Sequence, residues 1–305
     1  MTELTAMNTE PMKTSGLPTK LRAFVELTKL RITVMVLFTF CVAGVLAAGP
    51  DVSIGTLAWA SLGLLFMAAS GNAMNMYLER YTDFLMVRTA KRPLPDQRLS
   101  SGEVVMFASV CFGISAGIFL ATVNWQTALC GLLTWLLYVC VYTPLKTRTT
   151  LNTEIGAIPG ALPIVMGSLA VTGTVNLQGW AFFATLLLWQ FPHFMAIAWL
   201  YRDQYRQGGH KMLTVTDPTG RQAGIKAVVT CAILIGVSLL PALTFRTELQ
   251  SLLFSGAALC LGCLYMRDSI RFARDRNVNS ARRLLKTSIL YLPLFMLALV
   301  IASLS

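Results

Sequence analysis

Three oxygen-bearing side chains, Asn75, Glu79 and Asp83, recur every four residues. On an α-helix positions i, i+4 and i+8 share one face. A carboxamide and two carboxylates would therefore stand in a column. Such hard oxygens suit Mg2+, which is usually held by one or two carboxylates plus substrate phosphate oxygens rather than by a full protein cage. The column is half of a metal site, and a phosphate would supply the rest. Cations follow at once, as Arg88, Lys91 and Arg92. Guanidinium and ammonium groups bind phosphate oxygens by charge-assisted hydrogen bonds. Acids for a metal beside bases for phosphate make a diphosphate site, although a helix end with topology charges and surface ion pairs would use the same residues.

A second cluster lies farther along. His193 falls inside an apolar run that ends in Arg202, Asp203 and, after Gly208 and Gly209, Lys211. Ionisable groups inside a membrane segment are rare and default to functional candidates. An unbroken helix would put His193 roughly 15 Å below Asp203 at 1.5 Å per residue. There it would serve either as a ligand for a large apolar substrate under the polar site or as a neutral imidazole bonded to a neighbouring helix. Asp203 is the acid that would meet Asp83 from the opposite side. Tyr142 and Lys146, i and i+4 at another helix end, pair a phenol with an ammonium that could bind a phosphate leaving group. They could equally be an interfacial aromatic and a topology charge.

These residues need elements to hold them, and composition says which. The chain has 305 residues, 55% hydrophobic and 13% charged, and its mean hydropathy is +0.63. Soluble domains carry about a quarter charged residues. A polytopic helical membrane protein is the class that remains. Spans of roughly 20 apolar residues are expected at about 32–49, 56–78, 104–123, 127–145, 155–172, 178–200, 225–244, 250–266 and 286–304. In lipid only helices or closed barrels satisfy the backbone, and these runs lack alternating polarity. The expected fold is therefore all-α, with nine transmembrane helices.

Of the 25 Lys and Arg, all but Arg246 fall on one side of these spans. By the positive-inside rule that side is the cytoplasm, with the N-terminus inside and the C-terminus outside. The net charge of +11 then reads as topology, and no nucleic-acid partner is expected. The inner loops after spans two and six are long, which is uncommon unless they work. Residues 1–22 read as a flexible cytosolic tail and 23–305 as one transmembrane domain. The tail has neither a signal-peptide core nor the Arg-rich pattern of a transit peptide. The seven cysteines, Cys41, Cys111, Cys130, Cys140, Cys231, Cys260 and Cys263, read as small packing residues. Gly156, Pro159, Gly160, Pro163 and Gly167 in span five read as a close helix contact, or else as a kink that widens a central cavity.

The stretches Asn75–Asp83 with Met86, Arg88-Thr89 and Arg92–Pro95, then Tyr142–Lys146, Leu151–Pro163 and Pro192–Asp203 running to Met212-Leu213, resemble in order the UbiA family of intramembrane prenyltransferases. That resemblance implies a nine-helix bundle around a central cavity open to lipid. It implies Mg2+-dependent transfer of farnesyl from farnesyl diphosphate to a vinyl group of haem B, with water supplying a hydroxyl. It makes Asn75, Glu79, Asp83 and Asp203 the metal and catalytic set. Arg88, Lys91, Arg92, Tyr142, Lys146, Arg202 and Lys211 would bind the diphosphate, and His193 would contact haem. It also implies the bacterial inner membrane as location, and haem A synthase or terminal oxidase assembly as partners beside the lipid bilayer. Three positions depart from the family. Glu79 stands where relatives often have Asp, Tyr81 where they usually have Asp, and Gln204 where they have Asp. Another aromatic or tetrapyrrole acceptor, or a divergent enzyme of low activity, stays open. A transporter would place its charges near the bilayer midplane on broken helices, whereas these acids cluster at helix ends.

Overall fold

An apolar run in lipid must satisfy its own backbone, so each becomes a helix. The computed structural model describes residues 17–304. The helices in chain order are α1 (Leu17–Leu27), α2 (Leu30–Ala48), α3 (Ile54–Leu78), α4 (Arg80–Phe84), α5 (Ser101–Ile118), α6 (Trp125–Leu136), α7 (Thr143–Leu145) and α8 (Asn152–Thr172). They continue with α9 (Leu177–Leu200), α10 (Arg202–Gln207), α11 (Leu213–Thr216), α12 (Arg221–Ser238), α13 (Glu248–Asp275) and α14 (Val278–Leu304). Among the described residues, nine helical stretches are long and apolar enough to cross a membrane, and they fall on the nine expected runs. The fourth joins α6 to α7 through a π-helical stretch, Leu137–Tyr142. Such bulges are frequent at functional sites because they re-aim side chains.

The structure differs from these expectations in detail. The polar stretch 267–285, between the eighth and ninth expected spans, is helical. α13 runs to Asp275 and α14 starts at Val278, and the chain turns through Arg276 in the left-handed conformation (φ 44°). Arg, Lys and Ala are strong helix formers, and long cationic side chains reach water while the backbone stays coiled. Of the residues expected as a tail, 1–16 lie outside the described ones and 17–22 belong to α1, where Lys20 pairs with Glu103 of α5 at 2.7 Å. Finally, not every cysteine packs inside: Cys140, Cys260 and Cys263 are exposed.

Lipid offers no hydrophobic drive for one helix to pack on another, so close backbone approach carries the association. α2 lies against α8, and Gly167 makes this possible. A β-carbon there would strike the Phe40 carbonyl oxygen and come within 3.1 Å of both Ala43 Cβ and the Gly44 nitrogen. α3 packs on α5, while α9 is held by α8, α12 and α14. Gly156 gives up its side-chain space to the Tyr142 ring, whose Cε2 lies 2.5 Å from where a β-carbon would be. The small residues of the fifth span thus bring α8 close to both α2 and the π-helical turn.

Candidate active site

The column survives a change of helix. α3 ends at Leu78 and α4 starts at Arg80, with Glu79 between them at φ −89°, ψ 2°. Even so, the Glu79 N–H donates to the Asn75 carbonyl at 3.0 Å and the Asp83 N–H to the Glu79 carbonyl at 2.8 Å. The four-residue ladder continues, so Asn75, Glu79 and Asp83 stay aligned and all three are buried.

Three cations converge on the column from three segments. Lys29 donates from its Nζ to Asn75 Oδ1 at 2.7 Å. Lys146 donates to Glu79 Oε1 at 2.5 Å. Arg92 donates through Nη1 to Asp83 Oδ2 at 2.5 Å and lies 3.8 Å from Glu79 Oε2. The Asn75 amide donates to Thr143 Oγ1 at 3.0 Å, which fixes its carboxamide oxygen toward Lys29. The π-helical turn supplies the rest of the wall. Tyr138 stacks on Tyr142 at 5.8 Å, and Lys146 Nζ lies 4.6 Å from the centre of the Tyr142 ring.

The charges set one another. Burial opposes the ionised form of Glu79, yet Lys146 and Lys29 outweigh it and hold the carboxyl below its usual range. Burial wins at Asp83, whose pKa is raised despite Arg92, with Glu79 adding repulsion. Lys29 is lowered to about 7, mainly by burial and then by Arg92 and Lys146, against the pull of Glu79 and Asp83. Lys146 is raised, because Glu79 more than offsets its burial. His210, 3% exposed, is lowered to about 4 by burial and remains neutral beside these charges.

The donor set fits a hard divalent cation. Asn75, Glu79 and Asp83 bring carboxamide and carboxylate oxygens, and Asp83 Oδ1 is buried with no hydrogen-bond partner among the described residues. A buried charged oxygen left unpaired is costly, and an ion there would satisfy it.

The second cluster arrives differently from the expectation. α9 stops at Leu200, Tyr201 breaks the helix at φ −112°, ψ 18°, and α10 starts anew at Arg202. The ladder bridges the break, the Tyr201 N–H donating to the Ile197 carbonyl at 3.0 Å and the Tyr205 N–H to the Tyr201 carbonyl at 2.9 Å, and on α10 Asp203 faces outward. Its side chain is 70% exposed and pairs with Arg206 at 3.5 Å. Gln204 turns toward the first cluster instead, and its Oε1 accepts the Arg88 backbone N–H at 3.1 Å. The two polar segments therefore do meet, through Arg88 and Gln204, but Asp203 is not brought to the acid column.

The other expected residues divide. Arg92, Tyr142 and Lys146 are brought together at the column. The Arg88 guanidinium lies at the rim, over Tyr201 at 5.0 Å and Tyr205 at 6.0 Å. Lys91 is exposed. Arg202 folds back on Trp199, 4.5 Å from the ring, and donates to its carbonyl at 3.0 Å. Lys211 contributes its backbone, with its N–H bonded to the Lys146 carbonyl at 2.7 Å and its side chain exposed. His193 pairs with Ser288 Oγ at 2.8 Å. Sequence reasoning missed Lys29, Thr143 and His210 as site residues. Lys29 carried one usable signal, a cation just before an apolar run, but that is also what a topology charge looks like. Its backbone is left-handed (φ 50°, ψ 51°), a conformation that costs roughly 1–2 kcal/mol for a residue with a β-carbon.

A bundle of membrane helices with buried acids under convergent cations at one set of helix ends is the architecture of an intramembrane enzyme acting on an anionic substrate. The sequence pattern of the UbiA prenyltransferase family matches residues 36–299, and the chain belongs to that family. A protoheme IX farnesyltransferase from Rhodopirellula baltica is 38% identical over 283 residues, covering 90% of this chain and 98% of the relative. A structure of digeranylgeranylglyceryl phosphate synthase superposes with TM-score 0.78 at 15% identity, covering 93% of this chain and 99% of that one. A UbiA homologue from Archaeoglobus fulgidus bound to DMAPP and Mg2+ gives TM-score 0.65 at 17% identity, covering 90% and 99%.

Proposed function

We propose that the chain transfers a farnesyl group from farnesyl diphosphate to a vinyl carbon of haem B in a Mg2+-dependent reaction that yields haem O. One observation carries the reading. Two buried carboxylates and a carboxamide stand in a column under Lys29, Arg92 and Lys146, with Asp83 Oδ1 unpaired. The similarity to protoheme IX farnesyltransferases supports the choice of acceptor.

Asn75, Glu79 and Asp83 would hold the metal, and Mg2+ bound there would neutralise charge developing on the diphosphate as its bond to the allylic carbon breaks. Lys29, Arg92 and Lys146 stabilise the same leaving oxygens as fixed positive charges that need no reorganisation. Arg88 extends the cationic surface at the rim. Lys91, Arg202, Lys211 and Asp203 act outside this contact, through loop geometry and surface charge. Thr143 keeps the Asn75 oxygen on the metal side. The apolar interior below the column excludes water, so the allylic cation reaches the porphyrin vinyl group before it is quenched. Water then adds to the resulting cation next to the ring and loses a proton, leaving the hydroxyethylfarnesyl group. His193 contacts the haem. The polar helix ends face the cytoplasm and the C-terminus lies outside, across a bacterial inner membrane. Passage of haem O to haem A synthase or to terminal oxidase assembly follows from that reading.

The test is mass spectrometry of haem pigments from cells that make the chain, its Asp83→Ala variant, or neither. The mass of hydroxyethylfarnesyl haem is expected only with the unaltered chain, while the variant still inserts in the membrane. Full haem O formation by Asp83→Ala would overturn the site. Farnesylation of a different ring by the purified protein, with haem B untouched, would overturn the acceptor.

A further inference from the structure

Among the described residues, the face of the bundle opposite the acid column carries one Lys or Arg, Arg246. A cation there runs against the charge bias that orients membrane chains. Arg246 lines an open cavity of about 770 Å³ between the turn before α13 and the first two turns of that helix. Phe245, Glu248, Leu249, Leu252 and Ser255 line it too. Leu249 and Leu252, i and i+3, share one face of α13. They are 64% and 71% exposed, which on a membrane span means contact with acyl chains.

The wall of the cavity is fixed by bonds that leave its charged side chains free. Ser251 Oγ donates to the Ala242 carbonyl at 2.9 Å, which ties α13 to the 3-10 turn Leu240–Thr244. Gln250 Oε1 accepts the Arg246 and Thr247 N–H groups at 3.1 and 3.0 Å, and Thr247 Oγ1 accepts the Gln250 N–H at 3.2 Å. Phe245 stands edge-on to the buried Phe254 at 5.1 Å and 78°. Arg246 is thus held by its backbone. The Arg246 and Glu248 side chains are exposed and make no ion pair or hydrogen bond with any described residue.

We propose that this cavity is a phospholipid site, with the lipid phosphate on Arg246, an acyl chain along Phe245, Leu249 and Leu252, and a headgroup ammonium on Glu248. A guanidinium fork matches phosphate oxygens. A free cation and a free carboxylate two residues apart match a zwitterionic ethanolamine headgroup better than a purely anionic one. A mostly apolar cavity with a few polar groups to fix orientation is the usual form of a ligand site. Depth agrees as well. Arg246 precedes Leu249 by three residues, roughly 5 Å along a helix axis, which is about the thickness of the headgroup layer over the hydrocarbon. A soluble phosphate would leave the two leucines uncovered. The site lies across the bundle from the acid column, so its occupant takes no part in the chemistry there.

Full-length protein purified in mild detergent is mixed with phosphatidylethanolamine, phosphatidylglycerol or water-soluble glycerophosphoethanolamine, and bound molecules are counted by native mass spectrometry. The unaltered protein binds one phosphatidylethanolamine in preference to phosphatidylglycerol and does not retain glycerophosphoethanolamine. Arg246→Ala weakens lipid binding roughly tenfold, as loss of one charge-assisted hydrogen bond requires, with its melting temperature and farnesyl transfer unchanged. Glu248→Gln removes the preference between the two lipids. Equal phosphatidylethanolamine binding by Arg246→Ala would overturn the phosphate contact. Phosphatidylglycerol bound as well as phosphatidylethanolamine by the unaltered protein would overturn the zwitterionic headgroup. Glycerophosphoethanolamine retained as tightly as the lipid, or a lipid-free mass of two copies, would overturn the phospholipid site.

Discussion

Replacing Arg92 by Leu removes the one cation that touches Asp83 among the described residues. Arg92 Nη1 lies 2.5 Å from Asp83 Oδ2, and the Asp83 side chain is 1% exposed. Taking away one member of a buried pair costs about 3–5 kcal/mol, because the partner charge is left uncompensated. Arg92 is 22% exposed, so water screens part of the interaction and the lower end of that range, about 3 kcal/mol, is expected. Asp83 has an escape route, since its pKa is already raised and loss of Arg92 moves it further up. Acidification would then rescue the variant. The assay is unfolding of the detergent-solubilised protein in Mg2+-free buffer, with and without added Mg2+. Arg92→Leu should unfold earlier, and Mg2+ should stabilise it more than the unaltered protein, because the carboxylate no longer has a competing cation. Farnesyl diphosphate binding should nevertheless weaken by roughly 10- to 100-fold, the worth of one charge-assisted hydrogen bond of about 1.5–3 kcal/mol. The double variant Asp83→Asn/Arg92→Leu should recover most of the lost stability. If Arg92→Leu unfolds with the unaltered protein and Mg2+ shifts both equally, the coupled column is wrong.

Further outcomes follow from the same geometry. Lys29 falls from 10.5 to about 7 on folding, so between those values the unfolded chain binds the extra proton and stability rises with pH. Melting temperatures of the unaltered protein and Lys29→Met, compared from pH 7 to 10, should show this rise only in the former. Metal binding should weaken on acidification at a pH above the ordinary Asp range, because the raised pKa of Asp83 lets protons compete for its carboxylate; Mn2+ titrations across pH would read it. Asp203→Asn should change Mn2+ affinity by less than about threefold, as expected for a solvent-exposed pair, whereas Asp83→Asn should abolish measurable binding. Gly167→Leu should cost about 3 kcal/mol, the upper end for overpacking, because the obstructing Phe40 oxygen and Gly44 nitrogen are backbone atoms; thermal unfolding checks it.

How far the sequence carries depends on whether local periodicity persists. Asn75, Glu79 and Asp83 could be aligned from spacing because the i to i−4 ladder crosses the break at Glu79 intact. At Tyr201 the helix is interrupted as well, and the same ladder bridges it, Tyr201 N–H to the Ile197 carbonyl and Tyr205 N–H to the Tyr201 carbonyl. Spacing alone did not say which side of α10 meets the first cluster. Gln204, which stands where relatives have Asp, is the acceptor that ties the two polar segments, while Asp203 faces outward. Lys29 was illegible for another reason. Its partner Asn75 is 46 residues away, and only the left-handed turn between α1 and α2 aims the ammonium there. The nine spans were legible because lipid admits so few structures. The helical extensions of α13 and α14 were not, because charge density suggests a loop while helix propensity, once the interface is passed, decides otherwise.

The central claim is that the Asn75, Glu79 and Asp83 column is where a divalent ion meets the substrate diphosphate. The most direct test is a crystal structure grown with Mn2+ and a non-hydrolysable farnesyl diphosphate analogue, with the anomalous signal of manganese located. The account predicts a peak in the coordination sphere of Asp83 Oδ1, bridging to phosphate, with Lys29, Arg92 or Lys146 on the remaining phosphate oxygens. Manganese and diphosphate bound away from Asp83, or against Asp203 alone, would contradict it.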